Sequence, residues 1–250
     1  MPFEPTPETL LYVAAVFIAA GIVKGVLGIG LPLVSLPLLA GTVGPITAMA
    51  LLVVPTFAVN IWQAVQSGYL SGALRRFWTA YPLLIGGVVF GVTLLTRMDT
   101  GVLTAVVGVL VILVSISQLF PLRLHVPERA EPWATPVVGL SSGLLGGLSS
   151  FLGPVMVMYL VALRVTKDQF VGAIAIFYVI ASVPFFGGLA VSGRLGHEEL
   201  IASALASLMI LLGVLVGQRL RRRASPELFR RAVLIMLILI GANMIRKGLM

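Results

Sequence analysis

Apolar residues in this chain come in long blocks separated by brief polar clusters. Eight blocks stand out, at about 10–40, 45–66, 77–96, 101–120, 134–163, 170–192, 199–218 and 228–245. Six have the length of a single bilayer crossing, which takes about 20 apolar residues. The first and fifth run to 31 and 30 residues, long for one crossing and short of the roughly 40 that two would need. Glycines interrupt both, Gly28 and Gly30 in one, Gly146 and Gly147 in the other. The pattern predicts an all-α, polytopic helical membrane protein whose first and fifth segments are broken or re-entrant helices, giving about ten helical pieces.

The two long blocks also resemble each other. Gly21, Gly25 and Gly28 align with Gly139, Gly143 and Gly146 at a constant offset of 118, and Pro37 and Pro154 follow the respective breaks. Further on, GVVFG at 87–91 matches GVLVG at 213–217. Such self-similarity indicates an internal duplication, with a first transmembrane repeat at 1–120, a polar, proline-containing cytoplasmic linker at 121–133 and a second repeat at 134–250. Together they are expected to form one integral membrane domain.

Composition agrees with the pattern. Hydrophobic residues make up 59% of the chain and charged residues 10%, against roughly 25% charged in soluble domains. No cysteine is present, so disulfide, thiolate and iron–sulfur chemistry are excluded. The N-terminal MPFEPTPETL lacks the basic region and small-residue cleavage site of a signal peptide and is expected to stay on the mature chain. The net charge of +8 does not call for nucleic acid, because loop arginines of a membrane protein obey the positive-inside rule. Eight simple crossings would spread the loop charges evenly. If the first and fifth segments instead dip in and return, Arg75, Arg76, Arg123, Arg129, Arg164, Lys167, Arg219, Arg221, Arg222, Arg223, Arg230 and Arg231 share one side, while Arg97, Arg194, Arg246 and Lys247 share the other. Hairpins, with both termini outside and the arginine loops cytoplasmic, are therefore expected. The two repeats then enter from opposite faces as an inverted pair.

A helix broken at membrane depth exposes backbone N–H groups, tolerated only where protein or a watery cavity satisfies them. Pro32 suits the first turn of a new half-helix, and Ser149 or Ser150 is expected to N-cap its counterpart. Two half-helix N-termini converging near the midplane would form an anion site. Candidate binding residues are Gly28, Ile29, Gly30 and Leu31 at the first break, and Gly146, Gly147, Ser149 and Ser150 at the second. Lys24 lies one turn before Gly28, and all nine acidic residues fall in loops or at segment ends. An intramembrane lysine without a carboxylate is a functional candidate, an anionic substrate being its counter-ion; a snorkelling or neutral, packed lysine is the alternative. Thr56, Asn60 and Gln63 share a helix face and could line the route or bond between helices. Gly21, Gly25, Gly139 and Gly143 have small-xxx-small spacing and read as packing residues. Trp78, Trp133, Tyr12, Tyr69 and Tyr81 read as interface anchors.

At these residues the sequence resembles the sulfite exporter TauE/SafE family of permeases, also described as toluene-sulfonate uptake permeases. GVLGIGLPLVSLPLL carries the likeness through Gly25, Gly28, Gly30 and Pro37, and GLLGGLSSFLGPVMV echoes it through Gly143, Gly146, Gly147 and Pro154. Ile29 between the first glycines departs from the family pattern, and the role of Lys24 is not carried over from that pattern but rests on its position alone. The resemblance implies transport of sulfite, thiosulfate or organosulfonates across a bacterial inner membrane, in a direction it does not specify.

A permease fits the duplicated broken helices; an anion channel or a carrier of another small organic anion could use the same scaffold. An intramembrane enzyme is disfavoured, because His125 and His197 lie in loops and no carboxylate sits at depth. The expected partners are a small anion and the lipid bilayer, with no nucleic acid, metal or cofactor, and a homodimer is a permitted assembly.

Overall fold

The apolar blocks fold as helices throughout the computed structural model, which describes residues 6–27, 31–120, 125–220 and 226–249. In chain order these are α1 Pro7–Leu27, α2 Leu31–Val43, α3 Pro45–Ala50, α4 Val53–Gln66, α5 Leu70–Arg76, α6 Ala80–Arg97, α7 Thr100–Leu119, α8 Glu131–Ser149, α9 Gly153–Ala162, α10 Lys167–Val191, α11 His197–Leu220 and α12 Pro226–Leu249. Among the described residues seven helical stretches are long and apolar enough to cross a membrane, α3 and α4 together counting as one. Starts are set by local chemistry. Thr6 accepts the Thr9 amide ahead of α1, and Thr166 with Gln169 closes a capping box on α10, each satisfying amides that have no partner within the helix.

By contact the chain divides into two units that each draw on both halves of the sequence. One comprises Met1–Pro55, Met98–Pro121 and Arg194–Met250; the other comprises Thr56–Arg97 and Leu122–Gly193. This division differs from the sequence duplication, which runs first half against second.

In the first unit α1 packs along α11, and α7 along α12. Glycines bring the backbones together: a methyl group on Gly213 would lie 2.9 Å from the Gly21 Cα, and one on Gly217 would lie 3.0 Å from the Gly25 Cα. α1 and α11 therefore run parallel. Gly108 meets Gly241 and Gly101 meets Gly248, so α7 and α12 run antiparallel. In the second unit α6 packs along α8, with Gly87 against Gly143 and Gly91 against Gly147, also parallel. The four glycines read as packing residues are packing residues, and the partners of Gly21, Gly25 and Gly143 are the glycines of the repeated GVLVG and GVVFG stretches. Without a hydrophobic force between helices in lipid, such close approach supplies the dispersion contact that holds them.

The second apolar block is interrupted, which its hydropathy hid. Pro55 has no N–H to give the Leu51 carbonyl four residues earlier, and the helix breaks at Leu51–Leu52 between α3 and α4. Ser203 of α11, fully buried, repairs the gap within the first unit. Its hydroxyl donates to Leu51 O at 2.8 Å and accepts the Val54 amide at 3.0 Å.

Candidate functional site

Each unit contains one hairpin of a long and a short helix. In the first unit the Tyr12 hydroxyl, near the start of α1, donates to Leu38 O of α2 at 2.8 Å, which requires α2 to fold back along α1. In the second unit Thr135 of α8 and Tyr159 of α9 share a hydroxyl–hydroxyl bond of 2.6 Å. The Val126 amide ahead of α8 donates to Ala162 O at the end of α9, 3.2 Å away. Both ends of the α8–α9 hairpin thus meet at its base. Tyr12 is a hairpin tie as well as a half-exposed aromatic ring, whereas Trp78 and Trp133 are largely exposed, as interface anchors would be.

Lys24 occupies the last turn of α1 and is half-buried among Val23, Gly25 and Val26. No ion pair engages it among the described residues. Gly28, Ile29 and Gly30 lie outside the described residues. Leu31, buried, opens α2 with Pro32 in its first turn, where a missing N–H leaves no intrahelical bond unmade. Ser35 bonds back to Leu31 O at 2.8 Å.

The second break falls later than the glycines suggested. Gly146 and Gly147 are still helical, Gly147 pressed on α6 and Gly146 on the Leu152 side chain. The turn is made at Ser150, whose left-handed backbone (φ 62°) caps α8 as its amide bonds Gly146 O at 2.7 Å. Neither serine N-caps α9, contrary to expectation. Ser149 is the last residue of α8; its hydroxyl donates to Leu145 O at 2.7 Å and accepts the Phe151 amide at 3.3 Å. Helix α9 starts at Gly153 with Leu152 in the cap position and no side-chain cap bond. A hydroxyl in the last turn reaches the carbonyl four residues back more readily than an amide ahead, so Ser149 serves the helix it ends. Instead Tyr178, midway along α10, places its hydroxyl against Gly153, where it fills the space that a side chain on that glycine would take. Sequence reading missed Tyr178; the available signal was a tyrosine far from either end of an apolar helix.

Asn60 spends its amide on Thr56 O, 2.7 Å away in its own helix, which confirms the shared face of those two residues. Gln63 is half-buried on α4. Ser141 bonds back to Val137 O. The hydroxyls of Thr56, Ser115 and Ser142 are buried without a partner among the described residues. Lys24 and Leu31 belong to the first unit, and Asn60, Gln63, Gly146, Gly147, Ser149 and Ser150 to the second.

At the base of the second hairpin Arg76 of α5 grips Glu131, the first residue of α8, through Nε at 2.6 Å and a second nitrogen at 2.9 Å. The hydrogen bonds that Arg76 donates to the Glu131 carboxylate raise the guanidinium above its ordinary pKa range. No group of three or more His, Cys, Asp or Glu residues placed to hold a metal occurs among the described residues.

A family model described as Sulfite exporter TauE/SafE matches residues 13–244. No curated protein and no solved structure gives a match.

Proposed function

Because the chain belongs to the sulfite exporter TauE/SafE family of transporters and is a multi-pass membrane protein, we propose that it is a permease for a small sulfur-containing anion of the sulfite, thiosulfate or organosulfonate class. The membrane is the bacterial inner membrane, both termini face outward, and each unit offers an anion at membrane depth the amides that open its half-helix, α2 in the first with Lys24 as counter-charge and α9 in the second. In the second unit the Tyr178 hydroxyl, which lies against Gly153 at the start of α9, joins those amides as a donor.

The observation that carries the reading is the fold-back of both interrupted segments. Helices of 13 and 10 residues reach only about 20 and 15 Å, less than the roughly 30 Å hydrocarbon core, so each half-helix starts or ends inside the membrane. Helix direction supports the same topology. If the first and fifth segments each crossed once, α7 and α12 would be the fourth and eighth crossings and would run parallel; they are antiparallel. Two returns restore the observed directions and place the loops with twelve basic residues on one side, as the positive-inside rule asks.

A channel on this scaffold differs from a carrier in kinetics. Proteoliposomes loaded with labelled sulfite or thiosulfate are expected to show saturable exit that external unlabelled anion accelerates. Linear, unsaturable flux identifies a channel. A panel of sulfite, thiosulfate, sulfonates and carboxylates, read as thermal stabilisation of detergent-solubilised protein, sets the class. Stabilisation by carboxylates alone reassigns the substrate, and no flux together with no shift for any sulfur anion overturns the proposal.

A further inference from the structure

The Arg76–Glu131 pair forms one wall of a cleft of about 460 Å³ at the base of the α8–α9 hairpin, whose other walls include His125, Glu128, Arg129 and Leu163. That volume lies in the range of small-molecule sites, and every wall belongs to the second unit. Its charges are not equivalent. Glu131 is already neutralised by a two-pronged bond to Arg76, whereas Arg129 and His125 are exposed and have no hydrogen-bond partner among the described residues. Arg76 in turn lies beside the Phe77 ring, 5.5 Å from its centroid, which orients its planar fork. A guanidinium fork matches any oxyanion as well as it matches a carboxylate. The side chains of the pair are 32% and 18% exposed, so a dissolved anion can compete for Arg76.

We propose that this cleft is a second binding site, for a small divalent oxyanion, in which Arg129 and His125 receive the ligand and the ligand takes Arg76 from Glu131. The ligand class is argued from the donors of the cleft and does not depend on where a transported anion binds. Exchange at Arg76 has a structural consequence. Glu131 begins α8, and its backbone carbonyl accepts the Thr135 hydroxyl at 2.7 Å, next to the Thr135–Tyr159 bond that closes the hairpin. Releasing its carboxylate removes the side-chain ion pair that, among the described residues, anchors the hairpin base to α5, leaving the hydroxyl and backbone ties. Glu128, exposed beside Arg129, is the group that opposes an anion.

Inorganic sulfate is a suitable probe, since it is divalent and unreactive. Its affinity for the purified full chain in detergent is read from the thermal midpoint against sodium chloride of equal ionic strength, for wild type, Lys24→Ala, the double variant Arg129→Gln with His125→Gln, and Glu131→Gln. The double variant is expected to weaken sulfate binding about three- to tenfold, the scale of two exposed charge contacts. Glu131→Gln is expected to strengthen it, and Lys24→Ala to leave this component in place. Equal sulfate response in wild type and the double variant overturns the proposal, as does loss of all response in Lys24→Ala. A midpoint shift that appears in phosphatidylglycerol nanodiscs but never with sulfate assigns the cleft to a lipid headgroup and overturns it too. Loss of transport with the cleft response intact would count against the permease reading alone.

Discussion

In the first unit the hairpin α1–α2 is tied by a tyrosine hydroxyl on a main-chain carbonyl, Tyr12 to Leu38, and the polar group approaching its break is an amine, Lys24. In the second unit α8–α9 is tied by the Thr135–Tyr159 hydroxyl pair, by Val126 to Ala162 and by the Arg76–Glu131 ion pair, and the polar groups at its break are the hydroxyls of Ser149, Ser150 and Tyr178. The glycines of both units meet one shared requirement, close helix packing. The polar groups beside the two interruptions differ, an amine in the first unit and hydroxyls in the second.

The shared part is the easiest to break. Gly143→Leu in the second unit and Gly213→Leu in the first both drive a side chain into an opposing backbone, and overpacking of this kind costs about 1–3 kcal/mol even where side chains can yield. Both should leave little folded protein in the membrane and lower the thermal midpoint by similar amounts. Gly187→Leu, where a side chain meets open space, should do neither. A tolerated leucine at Gly143 or Gly213 would show that the two pairings are not equivalent.

The divergent part predicts a functional asymmetry. Lys24→Ala and Lys24→Glu should cut sulfur-anion flux about tenfold or more, the scale of a hydrogen bond to a charged partner, with membrane protein level retained. Tyr178→Phe, removing a neutral donor from the other hairpin, should cost less. Unchanged flux in both Lys24 variants removes the amine from the site and leaves the hairpins chemically alike.

The third interruption, at Leu51–Leu52, sets a smaller effect. Ser203→Ala strands the Leu51 carbonyl and the Val54 amide, a loss of about 1–3 kcal/mol for a buried group left unpaired. Pro55→Ala returns an N–H to the position that Leu51 needs. In that background Ser203→Ala should cost less, and the cycle measures the coupling. Additive losses would mean that Ser203 does not compensate for the proline.

These sites also show how much of the molecule could be read from its residues. The apolar blocks and the packing role of Gly21, Gly25, Gly139 and Gly143 follow from periodicity and spacing, because a bilayer permits little else than a helix and small residues mark where helices touch, although which glycine stretches meet was not legible. What hydropathy averages over was not legible. Pro55 sits in a strongly apolar window, so the α3–α4 break went unseen although a proline inside a helix was a sufficient signal. The short helix α5 was hidden among loop residues. At the second break the glycines drew attention to Gly146 and Gly147, yet their lack of side chains serves contact with Leu152 and α6, and the chain turns three residues later. Which way a serine hydroxyl points, back to its own helix or forward to the next, depends on a backbone angle that residue type does not fix.

Ser150 offers the finest test of the comparison, since its backbone and its hydroxyl make opposite demands. At φ 62° a residue with a side chain is strained by about 1 kcal/mol, which glycine avoids. Ser150→Gly should therefore hold or slightly raise the thermal midpoint, and Ser150→Ala should leave it near wild type, since no hydrogen bond to the Ser150 hydroxyl is needed to make the turn. If the second hairpin contributes hydroxyl donors to an anion, both variants should lose flux by a few-fold while staying folded, and by the same factor, because each removes the same group. A Ser150→Gly protein that is more stable and transports as before would confine this serine to making the turn, and would leave Ser149 and Tyr178 to carry the neutral half of the asymmetry.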